Sequence, residues 1–146
     1  MTNEELVEQL YPGCIVNGSF NPPTSYTPII DALGTVAIRA DDDYVQGDSR
    51  ILYRESNGKW GYLLFGWGSC SVCDALQACE SYAELNQLFC TLQAKIIWFD
   101  TAQDAQEFVV SHDWENEPTS LEDNRQLEFR QSCMRLLGIR DVSYVI

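Results

Sequence analysis

The chain has one histidine, His112, and few cations: nine lysines and arginines stand against twenty-two aspartates and glutamates, a net charge of −13. Affinity for DNA or RNA rests on cations that neutralise phosphates, so this balance opposes direct nucleic-acid binding. It opposes docking on anionic membrane for the same reason. Long hydrophobic runs are also lacking; none approaches the roughly 20 residues that span a bilayer. The opening segment "MTNEELVEQL" is acidic and has neither the basic start nor the apolar stretch of a signal peptide. These scarcities together set the expectation of a soluble, cytoplasmic protein. Internal repeats and low-complexity tracts are absent as well.

What is present fits an ordinary globular chain. With 146 residues and 45% hydrophobic composition, residues 1–146 read as a single domain that needs no disulfide to fold. Six cysteines in a reducing compartment do not make a disulfide framework. The acid excess would attract a basic protein partner and speed its association. It would equally serve to keep the chain soluble.

Local patterns divide the chain into helices and strands. Thr2 and Glu5 have capping-box spacing, and Leu6 and Leu10 share a face, so 2–10 reads as a short helix. The proline-bearing stretch 17–28 reads as an irregular loop, followed by one helical turn over 29–33. Strands are expected at 35–40, 50–55 and 59–67, with an acidic turn at 41–48. Asn57-Gly58 reads as a type I′ hairpin turn, and the apolar content of 59–67 places that strand inside a sheet. Ser81 and Glu84 cap a helix to about 94, 95–99 reads as a short strand, and Thr101 starts a helix over 100–112. The longest helix is expected from Ser120 to Leu137, ended by Gly138, with Phe129, Cys133, Leu136 and Leu137 on its core face. Residues 142–146 read as a terminal strand. The fold class is α+β: a small antiparallel sheet packed against several helices, with a long C-terminal helix.

The stretch "GYLLFGWGSCSVCDALQAC", residues 61–79, concentrates the chemistry. Cys70 and Cys73 form C-x-x-C, half of a tetrahedral zinc site, but no second C-x-x-C exists to complete it. Cys79, Cys14, Cys90, Cys133 and His112 are the remaining donors. The same pair, after a strand and before a helix, would suit a thiol-disulfide oxidoreductase, with Cys70 attacking and Cys73 resolving. Against that, no βαβ unit precedes it and no later proline fits a cis-proline loop. Gly66, Gly68 and Ser69 would cradle an anion, yet they match neither a Walker pattern nor G-x-G-x-x-G. The plain alternative is a tight strand-to-helix turn with thiols packed as small hydrophobes.

Other groupings are weaker. Cys70, His112 and Asp113 supply the residue types of a nucleophile, base and orienter, without a surrounding signature. Asp41, Asp42, Asp43 and Asp48 lack the glycine and closing glutamate of an EF-hand, so they read as acidic surface. In "HDWENE", Asp113, Glu115 and Glu117 flank Trp114, a residue type enriched at binding hot spots and equally apt to cap a core.

Three pieces carry a resemblance: Asp43, Tyr44, Gln46, Gly47 and Asp48; residues 61–77; and residues 98–115. Together they resemble small uncharacterised proteins of phages and bacteria with a "DYxGD" turn, a "GYLxFGWGSCSxCDxLQ" centre and a "WFD…HDWE" tail. The chain departs from that pattern at the extra Val45 and at Val72, where glycine is expected. The resemblance implies a cytoplasmic phage or prophage accessory protein and transfers no catalytic residue. By analogy with anti-CRISPR proteins, it adds inhibition of a host defence protein. The resulting expectation is a non-enzymatic acidic binding module for a basic partner. Asp41, Asp42, Asp43, Asp48, Asp113, Trp114, Glu115 and Glu117 would face that partner. A thiol oxidoreductase or a structural zinc domain using Cys70 and Cys73 are the alternatives.

Overall fold

A computed structural model describes residues 2–42, 46–72, 74–117 and 125–139. The element order is α1 (Asn3–Leu10), β1 (Ile15–Val16), β2 (Ser19–Phe20), α2 (Thr27–Leu33), β3 (Val36–Asp41), β4 (Gly47–Arg54), β5 (Trp60–Trp67), α3 (Tyr82–Lys95), β6 (Ile97–Phe99), α4 (Ala102–Ser111) and α5 (Arg125–Leu136). The fold is α+β, as the patterning indicates. A four-stranded antiparallel sheet in the order β3-β4-β5-β6 forms the middle layer, and β1 pairs with β2 apart from it.

Helices cover both faces of the sheet. Alternation along the strands sends Ile51, Tyr53, Leu63 and Phe65 to one face, where they pack with Val7 of α1, Ile29 and Ile30 of α2, and Leu85 and Leu92 of α3. Leu52, Trp60 and Tyr62 point the other way, onto Ala105 and Val109 of α4 and Phe129, Cys133 and Met134 of α5. This two-sided burial explains the near-continuous apolar run of β5.

The helix caps follow the sequence closely. Thr2, Ser81 and Thr101 each accept a backbone N–H three residues on, from Glu5, Glu84 and Asp104. After α5, the N–H of Gly138 bonds to Arg135 O and that of Ile139 to Met134 O, a Schellman ending. Leu136, expected on the core face, is 42% exposed, and Met134 takes its place in the interior. The expected Ser120 cap and the terminal strand at 142–146 lie outside the described residues.

The two Asn-Gly pairs exchange roles relative to expectation. Asn17 (φ 51°) and Gly18 (φ 79°) form the tight two-residue turn between β1 and β2, inside the stretch read as irregular. At 57–58 only Gly58 has positive φ (90°), and Glu55 pairs with Lys59 across a three-residue loop. Both asparagines can adopt the left-handed region; the strand register decides which of them does.

Candidate functional site

The stretch 61–79 resolves into strand β5 followed by turns. The strand-to-helix junction anticipated around the two cysteines is instead a run of turns over 75–78, and Cys73 itself lies outside the described residues. Asp74, 2% exposed, organises this loop. Its Oδ1 accepts from Tyr26 Oη (2.7 Å) and from Gly68 N (3.2 Å), and its Oδ2 accepts from Gln77 N (3.1 Å). Tyr26 Oη in turn accepts from Leu76 N. Burial, and then the bond to Asp74, raises the Tyr26 phenol well above its ordinary value. Cys70 is exposed, and Val72 at the loop tip is 95% exposed. Cys79 is buried and donates to Ala75 O; burial, with Glu84 and Asp74 nearby, pushes its thiol up to about 11. Among the described residues no group of three or more His, Cys, Asp or Glu side chains is arranged to hold a metal ion.

The acids at 41–48 hold the β3–β4 connection. Asp42 and Asp48 are 6% and 5% exposed. Asp42 Oδ2 accepts from Asp48 N (2.8 Å), and Asp42 N donates to Asp48 O. Asp41 is exposed but accepts from Arg39 Nε and Ser49 Oγ. Asp43 lies outside the described residues. The expectation that this whole cluster faces a partner is therefore corrected for Asp42 and Asp48: the turn folds their carboxylates inward.

The segment after α4 divides in the same way. Asp113 and Glu115 are exposed, whereas Trp114 and Glu117 are buried at 3% and 7%. Trp114 Nε1 donates to Val109 O (2.9 Å), closing the end of α4. Both residues belong to the interior, which corrects the expectation that they form an exposed contact face; of the two, Glu117 also lines a cleft. Glu117 is the centre of a buried network. Arg50 Nε donates to its Oε1 (2.8 Å), and Tyr62 Oη donates to its Oε2 (2.8 Å). His112 Nε2 stands 2.7 Å from the same Oε2. Glu117, not Asp113, orients this histidine; Asp113 instead accepts from Asn116. The nucleophile–base–orienter reading loses its orienter, and no hydroxyl or thiol bonds to His112 among the described residues. Arg50 Nη2 has no hydrogen-bond partner among the described residues.

A cleft of about 420 Å³ adjoins this network, lined by Leu64, Gly66, Lys95, Ile97, His112 and Glu117, among others. It follows the side of β5 that β6 leaves uncovered, since β6 pairs only with Trp60, Gly61 and Tyr62. The segment 100–115 is acidic. Asp100, Asp104, Glu107, Asp113 and Glu115 are all exposed, and no lysine or arginine occurs between Lys95 and Arg125. That cation-free interval was the signal available in the sequence; reading the local clusters singly passes over it. The inward roles of Arg50, Tyr62 and Asp74 had no local signal, because their partners lie 67, 55 and 48 residues away.

Comparison with protein-family models, with curated proteins and with solved structures finds no match. Among the described residues no helix is long and apolar enough to cross a membrane.

Proposed function

We propose that the chain is a non-enzymatic, acidic protein-binding module of the cytoplasm whose partner is a basic protein. The observation that carries this reading is the run of exposed carboxylates from Asp100 to Glu115, uninterrupted by any lysine or arginine. The cations elsewhere are partly consumed. Arg50 is buried against Glu117, Arg39 pairs with Asp41, and Lys59 lies 3.9 Å from Asp100. A field of this sign steers positively charged surfaces to the chain and rejects nucleic acid. Proteins that bind nucleic acid carry the matching basic surface. The resemblance to small phage proteins directs the reading to inhibition of a host defence nuclease. Reversing Glu107 and Glu115 to lysine tests it. Affinity for a basic nuclease is expected to fall and its salt dependence to flatten. Unchanged affinity and salt slope would remove the electrostatic basis.

A further inference from the structure

We infer that the uncovered edge of β5 is where the partner's chain enters, as an extended segment that adds a strand to the sheet. This rests on the proposed binding role and names its point of contact. Which backbone groups face that edge follows from the hairpin. Glu55 N donates to Lys59 O, so that pair is hydrogen-bonded, and alternation gives Gly61, Leu63 and Phe65 to β4. Asp42 N bonding to Asp48 O on the far side of β4 fits the same alternation. Trp60, Tyr62, Leu64 and Gly66 therefore direct their N–H and C=O groups away from β4. The first two meet Phe99 and Ile97 of β6. Leu64 and Gly66 lie past the end of β6, and their backbone groups have no hydrogen-bond partner among the described residues.

The part of β5 that no described strand pairs on this side, Leu63 to Trp67, is roughly 17 Å long, enough for a short peptide to pair with. Such edges are normally shortened, charged or covered, because they template pairing with other chains. Here the edge opens on the 420 Å³ cleft, and Ile97, 46% exposed, forms part of its wall. Trp98, also in β6, is 41% exposed.

Charge selects the occupant. Lys95 and Asp48 bring one charge of each sign to the cleft lining, and Glu117 is paired with Arg50, so the lining carries little net charge of its own. Beyond it the whole chain carries −13. A second copy would bring the same charge and be repelled. The fitting occupant is an extended segment of a basic protein, with apolar side chains alternating with lysine or arginine.

The test uses the full chain and an acetylated, amidated peptide of alternating lysine and valine. Two further peptides carry backbone N-methyl groups, one at the lysines and one at the valines. Strand addition uses the N–H groups of alternate residues only. One methylated peptide is therefore expected to lose binding and the other to keep it, while the Leu64 and Gly66 amides become protected from hydrogen exchange. Equal binding of both methylated peptides, with no protection at Leu64 or Gly66, overturns the strand, as does absence of peptide binding. Salt separates the two levels. Equal, salt-sensitive binding leaves the acidic reading intact while the edge fails, whereas protection at Leu64 and Gly66 with salt-insensitive binding keeps the edge and rejects the acidic reading.

Discussion

Arg50 Nε donates to Glu117 Oε1 over 2.8 Å, joining residues 67 apart in the chain with each side chain 2% exposed. The pair ties the middle of β4 to the segment after α4, and through Oε2 it also fixes Tyr62 and His112. Burying a charge is costly unless it is paired, so removing one partner leaves the other stranded. Glu117→Ala is expected to lower unfolding stability by roughly 3–5 kcal/mol. The double substitution Arg50→Met with Glu117→Leu should recover part of the loss, since the apolar pair removes the stranded charge but leaves the buried Tyr62 hydroxyl without its acceptor. Urea denaturation of the single and double variants measures both. A single variant as stable as the parent would show that the pair does not hold the fold.

Asp74 stands at the second hub. Replacing it with alanine removes acceptors for Tyr26 Oη, Gly68 N and Gln77 N in a buried loop. The expected loss is on the order of 3 kcal/mol, the scale of hydrogen bonds to a charged group with a donor left unpaired. Tyr26→Phe should cost less, because Asp74 keeps its two backbone donors. Equal losses would mean that the tyrosine contact, not the carboxylate, holds the loop.

Thiol reactivity follows burial. Cys90 is exposed, whereas Cys14, Cys79 and Cys133 are buried. Burial raises all three buried thiols, Cys79 to about 11 and Cys133 to about 12. The thiolate is the reacting species, so alkylation of the native protein at neutral pH should reach Cys90 well before these three. Peptide mapping by mass spectrometry reads the order. Early labelling of Cys133 would contradict its place among Phe129, Met134 and Val109.

The same thiols give stability a pH dependence of definite sign. Their folded values lie above the ordinary 9.0, so the folded state favours the neutral form. Stability from this source is complete below about pH 9, and it is lost as pH rises through about 11 for Cys79 and about 12 for Cys133. Cys133→Ala should flatten the alkaline limb while costing packing at every pH. A denaturation midpoint that does not fall between pH 9 and 12 would count against both buried thiols.

Much of the fold was legible because its signals are local. The threonine and serine caps of α1, α3 and α4 satisfy N–H groups three residues away, and Gly138 ends α5 by the same short-range logic. The apolar run of β5 marked an inner strand because both faces meet helices. The β1–β2 hairpin was missed because prolines nearby outweighed Asn17-Gly18, and register rather than dipeptide identity selects the tight turn. The site was less legible. Asp113 and Glu115 are exposed, but Trp114 and Glu117, their sequence neighbours, turn inward. Nothing within a few residues of Glu117 announces Arg50 or Tyr62, since that pairing exists only once the sheet has formed.

Exposed carboxylates between Asp100 and Glu115 should attract a basic protein. The most direct measurement is the affinity of the parent chain and of the Glu107→Lys, Glu115→Lys variant for a purified basic nuclease, at low and at high salt. The parent should bind, with affinity falling steeply as salt rises. The variant should bind roughly fivefold or more weakly for each reversed charge, about 1 kcal/mol apiece, with a shallower salt slope. Equal affinities with equal slopes would contradict it.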